Sequence, residues 1–239
     1  MKKKIIAGLV VASSLLLLSA SSYAGISLSG TRVVYTAQSK ESSVLVKNQG
    51  SDDVMIQSWI EAPNNASNDL PFAITPSLSR LAGSKQQLLR IFYSGEGLAV
   101  DRESVFWLNV QEIPQKAKGD NSLQIAVRQR IKLFYRPAGL PGKPEDAPAQ
   151  LKWRWAGSEG KPAMEVINDS PYFVSIVRAS LHIGSNTYTV APEMIAPKST
   201  QRVAVKDYSG RSITADAKVD FDSINDYGAP VSTESVISK

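Results

Sequence analysis

The stretch Leu123-Gln-Ile-Ala-Val-Arg-Gln-Arg-Ile-Lys-Leu-Phe-Tyr135 alternates over 13 residues, with different chemistry on its two faces. Even positions carry Arg128, Arg130 and Lys132, continued by Arg136; odd positions carry Leu123, Ile125, Val127, Ile131 and Leu133. Alternate cations beside Phe134 and Tyr135 could bind an anionic chain such as a nucleic acid. Alternate apolar side chains on an exposed edge could instead enter a groove in another protein, with main-chain pairing giving affinity and the side chains giving specificity. The polar loop Gln115-Lys-Ala-Lys-Gly-Asp-Asn-Ser122 precedes Leu123, so this end of the strand is expected to project beyond its sheet. Ile131 to Tyr135 read as core strand.

Hydrolytic and metal chemistry have little to work with. There is no cysteine, hence no thiol nucleophile, thiolate metal site or disulfide. His182 is the only histidine and would have to serve any Ser-His-Asp triad; it lies in Ala-Ser-Leu-His-Ile183, which reads as a plain strand. Asp220 and Asp222 share one face of an apparent strand but have no nucleophile–base constellation with them, and read as solvated strand-edge acids. Gly95-Glu96-Gly97 is too short for a phosphate loop. Trp107, Trp153 and Trp155 could be stacking platforms for a sugar, but core or sheet-face positions suit them better. The expectation is no enzyme, no cofactor and no metal.

Lys2, Lys3 and Lys4, the apolar run Ile5–Leu18 and Ser22-Tyr23-Ala24 make a charged start, an apolar core and a small-x-small cleavage site. The apolar run falls short of the roughly 20 residues that span a bilayer. Residues 1–24 are therefore expected to be a cleaved export signal, with Gly25 the mature N-terminus. The remaining 215 residues hold 24 basic and 22 acidic side chains, a balance that does not favour nucleic acid.

Positioning these residues falls to strands. Arg32–Tyr35, Ser43–Lys47, Val54–Ile60, Gln87–Tyr93 and Val105–Val110 are short and rich in β-branched or aromatic residues, with turn chemistry between them. A further set follows at Leu151–Trp155, Tyr172–Ile176, Asn186–Val190, Arg202–Val205 and Lys218–Phe221. Between the sets, residues 139–148 hold three prolines and two glycines. This predicts an all-β chain of two immunoglobulin-like sandwiches, residues 25–138 and 149–239, joined by a stiff linker.

Four motifs resemble one family. They are Thr31-Arg32, the run Asp101-Arg-Glu-Ser-Val-Phe-Trp-Leu-Asn-Val-Gln-Glu-Ile-Pro114, Ile131-Lys-Leu-Phe-Tyr-Arg-Pro137 and Ile224-Asn-Asp-Tyr-Gly228. In this order they resemble the periplasmic chaperones of the chaperone–usher pathway, an established example of strand donation to a partner. The resemblance implies two immunoglobulin-like domains in an L shape with an interdomain cleft. It implies that Arg32 and Lys132 bind the C-terminal carboxylate of a pilus or fimbrial subunit, and that Leu123, Ile125 and Val127 fill that subunit's groove. It also implies that Glu103, Arg136 and Asp226 form a structural charged triad between the domains. The implied partners are fibre subunits and an outer-membrane usher. Separately, an exposed donor edge leaves open self-association of the free chain through that edge. The eight-residue loop after Pro114 and the lack of cysteine resemble the short-loop branch. The competing reading is a non-catalytic exported β-sandwich that binds carbohydrate or another protein.

Overall fold

The computed structural model describes residues 25–63, 70–113, 125–157, 161–191, 193–210, 212–214 and 216–238. Its first half runs β1 (Ile26–Leu28), β2 (Arg32–Thr36), β3 (Ser42–Asn48), β4 (Val54–Glu61), β5 (Phe72–Thr75), β6 (Leu78–Leu81), β7 (Gln86–Tyr93), β8 (Ser104–Ile113) and β9 (Arg128–Arg136). These strands form two sheets, in the orders β1-β3-β7-β5 and β2-β9-β8-β4-β6. Alternation drives the layering. Val44 and Val46, Leu89 and Ile91, and Phe106, Leu108 and Val110 all point into one core, while their neighbours in sequence point away. Removing a side chain such as Leu108 or Leu133, both fully buried, would cost about 2–5 kcal/mol.

The opening segment serves both layers. β1 pairs antiparallel with β3, and after Ser29 and Gly30 the chain crosses so that β2 pairs parallel with β9. Tyr35, Phe72, Tyr93 and Tyr135 close that end of the core, with Tyr93 and Tyr135 ring centroids 4.4 Å apart.

The second half contains β10 (Lys152–Trp155), β11 (Ala163–Asn168), β12 (Val174–Ile183), β13 (Asn186–Val190), β14 (Met194–Ile195), β15 (Ser199–Ala204), β16 (Lys218–Ile224) and β17 (Pro230–Ser238). Its strand order is β13-β12-β16-β17-β10-β11-β15, with β14 also on β12. β17 pairs antiparallel along β16 and then parallel with β10 through Trp153↔Ile237, joining the layers as the opening segment does in the first half. Trp153 packs on Phe221 in this second core, centroids 5.4 Å apart.

Two expectations change. The long strand begins at Arg128 rather than Leu123, because Arg128↔Gln111 is its last register pair with β8. Residues 139–148 are also not all linker. Pro144–Asp146 and Pro148–Gln150 form 3-10 turns, and Ala147 between them is buried in the second core.

Candidate functional site

The parallel register of β2 and β9 sets Arg32 opposite Lys132. Val33, Tyr35, Leu133 and Tyr135 are buried in the first core, so period-two alternation leaves Arg32, Lys132, Phe134 and Arg136 on the opposite face. That face looks toward the second half of the chain. Lys132 Nζ donates to Ser175 Oγ at 3.0 Å, and Arg32 Nη1 donates to the Ile224 carbonyl at 2.8 Å. Arg32 Nε is buried with no hydrogen-bond partner among the described residues. Its guanidinium lies 5.8 Å from the Phe134 ring centroid.

Burial lowers the pKa of the Lys132 ammonium, and the Arg32 charge lowers it further. Burial lowers Arg32 as well, while Asp226 and Glu103 pull it back up. A pocket of about 360 Å³ opens here, lined by Arg32 and Phe134 from one side and by Phe173, Ser175, Ile224 and Tyr227 from the other. At the edge of this pocket, Arg32 with its unused N–H and the neighbouring desolvated Lys132 suit a small planar anion, above all a carboxylate.

Glu103, Arg136 and Asp226 meet in the wall of this same pocket. Arg136 Nε donates to Glu103 Oε1 at 2.7 Å, and its two Nη atoms reach the Asp226 carboxylate at 2.7 and 3.0 Å. The other Glu103 oxygen accepts from the Phe173 N–H at 2.8 Å, and the Glu103 N–H donates to Pro171 O at 2.9 Å. Glu103 is only 4% exposed, and burial pushes its carboxyl up against the pull of Arg136 and of that N–H. The two carboxylates hold Arg136 firmly charged, above its ordinary value. Phe134 packs on Phe173, centroids 5.8 Å apart, closing the apolar part of the junction.

The carboxylate of Asp226 is aimed by its turn. Asn225 Oδ1 accepts from the Tyr227 and Ala229 N–H groups, each at 3.0 Å. Gly228 follows at φ 85°, close against Thr31. The sequence Asn-Asp-Tyr-Gly carries the signal for this turn. Ser175, Phe173 and the Ile224 carbonyl carry none, because tertiary packing alone brings them to the site.

β2 covers the edge of β9 only from Lys132 to Arg136. From Arg128 to Ile131, β9 has β8 on one side and no strand on the other among the described residues. Ile125 and Val127 precede this open edge and are 69% and 42% exposed. They lie outside any strand, although the Glu112 N–H donates to Val127 O at 3.0 Å. Leu123 lies outside the described residues, as does the segment 1–24.

The other candidate chemistries have structural partners. His182 pairs with Asp220 and lies 3.1 Å from Thr187 Oγ1, while Asp222 binds Arg178 and Ser232. Asp220 and Asp222 are not on a sheet edge: β16 is interior, between β12 and β17. The Arg130 guanidinium sits 4.3 Å from the Trp107 ring centroid and 3.4 Å from Glu61. Trp153 is core, and Trp155 packs edge-on against Tyr208.

Comparison with known proteins gives a consistent answer. Residues 25–141 match the family described as pili and flagellar-assembly chaperone, PapD N-terminal domain, and residues 146–235 match pili assembly chaperone PapD, C-terminal domain. The probable fimbrial chaperone YadV of Escherichia coli K12 is 40% identical over 223 residues, covering 89% of this chain and 90% of its own. Its crystal structure superposes with a TM-score of 0.79 at 37% identity, over 90% of this chain and all of the other. Chaperone protein FimB/FhaD of Bordetella pertussis is 38% identical, covering 87% of this chain and 88% of its own. In fold alone, a chain of the solved structure of Salmonella enterica SafA pilin with the SafB chaperone is similar, with a TM-score of 0.76 at 24% identity over 91% of this chain and 99% of that one. With both halves matched in order over nearly all the described residues, the chain belongs to the PapD-type family of pilus-assembly chaperones.

Proposed function

We propose that this chain is a periplasmic chaperone that captures newly exported pilus or fimbrial subunits, caps each by donor-strand complementation and delivers it to an outer-membrane usher. No bond is made or broken, and no cofactor is needed. Residues 1–24 direct export and are removed after Ala24. Residues 25–138 carry the subunit site, and residues 149–239 form the second wall of the cleft. Arg32 and Lys132 anchor the subunit's C-terminal carboxylate. The subunit then runs along the open edge of β9, taking Leu123, Ile125 and Val127 into its groove. Glu103, Arg136 and Asp226 hold the two halves at a fixed angle.

The observation that carries this reading is the open edge at Arg128–Ile131, continuous with the exposed Ile125 and Val127 and ending at the cation pair. Val127 to Lys132 spans about 16 Å of extended chain, so an anchored subunit strand would reach the donor residues directly. Each apolar side chain buried there contributes roughly 1.5–3 kcal/mol before ordering costs.

The test is co-production with a fibre subunit encoded beside this chain, followed by recovery of soluble complex from the periplasm. Wild type should retain subunit, and Ile125→Asp should lose it while its own thermal unfolding stays unchanged. Equal retention by both would overturn the donor assignment.

A further inference from the structure

Glu112 is a carboxylate in the wrong place unless something cationic joins it. It follows Phe106, Leu108 and Val110 on the inward face of β8, is only 9% exposed, and sits at the mouth of the first sandwich. Its Oε2 atom is buried with no hydrogen-bond partner among the described residues. A buried carboxylate oxygen without a hydrogen-bond partner is costly.

The group it faces is Gly25. A Cβ built on Gly25 would lie 1.8 Å from Glu112 Oε2 and 2.8 Å from Oε1, so the carboxylate rests directly against the Gly25 α-carbon. Standard backbone dimensions then put the Gly25 nitrogen within about 4 Å of Oε2. Gly25 itself is fixed, since its carbonyl accepts from the Gln49 N–H at 2.8 Å and Ile26 pairs with Asn48 in β1–β3. A side chain at this position would have to push the Glu112 carboxylate aside.

We propose that Glu112 is a binding site for the α-ammonium group that export processing creates at Gly25. The inference rests on the reading that the chain is cleaved after Ala24. While residues 1–24 are attached, the Gly25 nitrogen is a neutral amide. Hydrolysis of the Ala24–Gly25 bond by signal peptidase releases it as an amine, which protonates near neutral pH. The new cation then pairs with a carboxylate already waiting beside it. Processing thereby closes the sandwich mouth. It also tightens the corner where β1, the end of β8 and the donor segment meet, because the Glu112 N–H holds Val127 O at 3.0 Å.

Two experiments separate the premise from the pairing. N-terminal sequencing of the exported protein should read Gly25 first; any other start removes the cation and overturns the proposal, without touching the subunit site. A thermal-unfolding cycle then compares chains starting at Gly25 or at Ala24, each with Glu112 or Glu112→Gln. The start at Gly25 should raise the melting temperature by about 3 °C or more in the Glu112 background. That gain should vanish with Glu112→Gln. Equal effects of the start residue in both backgrounds would overturn the pairing. As an independent check, Gly25→Ala should lower the melting temperature with Glu112 present and recover with Glu112→Ala; no effect of Gly25→Ala would also contradict it.

Discussion

Arg32 and Lys132 are register partners on adjacent parallel strands, two like charges placed side by side and partly stripped of water. Like charges directly opposite one another weaken a sheet. Their juxtaposition therefore comes at a cost to the free protein, as the proposed carboxylate anchor requires.

Removing either charge should separate binding from stability. Arg32→Ala and Lys132→Ala should each weaken subunit retention about 10- to 100-fold, the range for losing charge-assisted hydrogen bonds. Their melting temperatures should match or slightly exceed wild type. A folded variant that retains subunit as well as wild type would exclude that residue from the anchor.

Lys132 also fixes a pH dependence. Its folded-state pKa is lowered from 10.5, first by burial and then by Arg32. Between the lowered folded value and 10.5 the unfolded chain holds more protons, so stability rises with pH through this window. Wild type should gain stability relative to Lys132→Met as pH climbs toward 10.5, as followed by denaturant unfolding at stepped pH. An equal pH slope in the two proteins would contradict a desolvated, charged Lys132.

The Glu103–Arg136–Asp226 network should behave unevenly. Arg136→Met leaves Glu103 buried beside only the Phe173 N–H, and should cost about 3–5 kcal/mol in denaturant unfolding. Asp226→Asn acts on a half-exposed carboxylate and should cost about 1 kcal/mol or less. A similar small loss for both would mean that Glu103 is better solvated than its surroundings imply.

Much of this arrangement was legible from residue order, and the exceptions have physical reasons. Strands β2, β3, β4, β7 and β8 announce themselves by alternation between turns. β17 does not: Val231-Ser-Thr-Glu-Ser-Val-Ile-Ser238 is polar, and becomes a strand because β16 and β10 supply partners. β11 is absent from the strands read above although Met164 and Val166 are fully buried and turn residues, Gly160-Lys-Pro162 and Asn168-Asp-Ser-Pro171, bound it; its short run mixes Ala, Met and Glu with few β-branched residues. Residues 125–127 keep the alternation, but among the described residues the register with β8 ends at Arg128↔Gln111 and only the Glu112 N–H to Val127 O bond continues it, so pattern alone overextended β9. Within the site, charged residues were visible in family motifs, whereas Ser175 and Phe173 reach it only through the docking of the two halves.

The docking itself includes a tight contact that sequence could not show. Gly228 lies at φ 85°, and a Cβ there would come within 2.6 Å of Thr31 Oγ1, one residue before Arg32. Gly228→Ala should therefore lose about 1–2 kcal/mol of stability. Thr31→Ser/Gly228→Ala should recover little of it, because Oγ1 remains. Thr31→Ala/Gly228→Ala should recover only the steric part. Full stability of the single variant would show that the turn relaxes freely.

The central claim is that the cation pair holds a chain terminus. The most direct measurement is the affinity of wild type and Lys132→Ala for a subunit with its native C-terminus and for the same subunit with that carboxylate amidated. Amidation should weaken wild type by an order of magnitude or more and Lys132→Ala by clearly less, because only the Arg32 half of the contact is left to lose. Equal weakening of the two proteins by amidation would contradict the anchor.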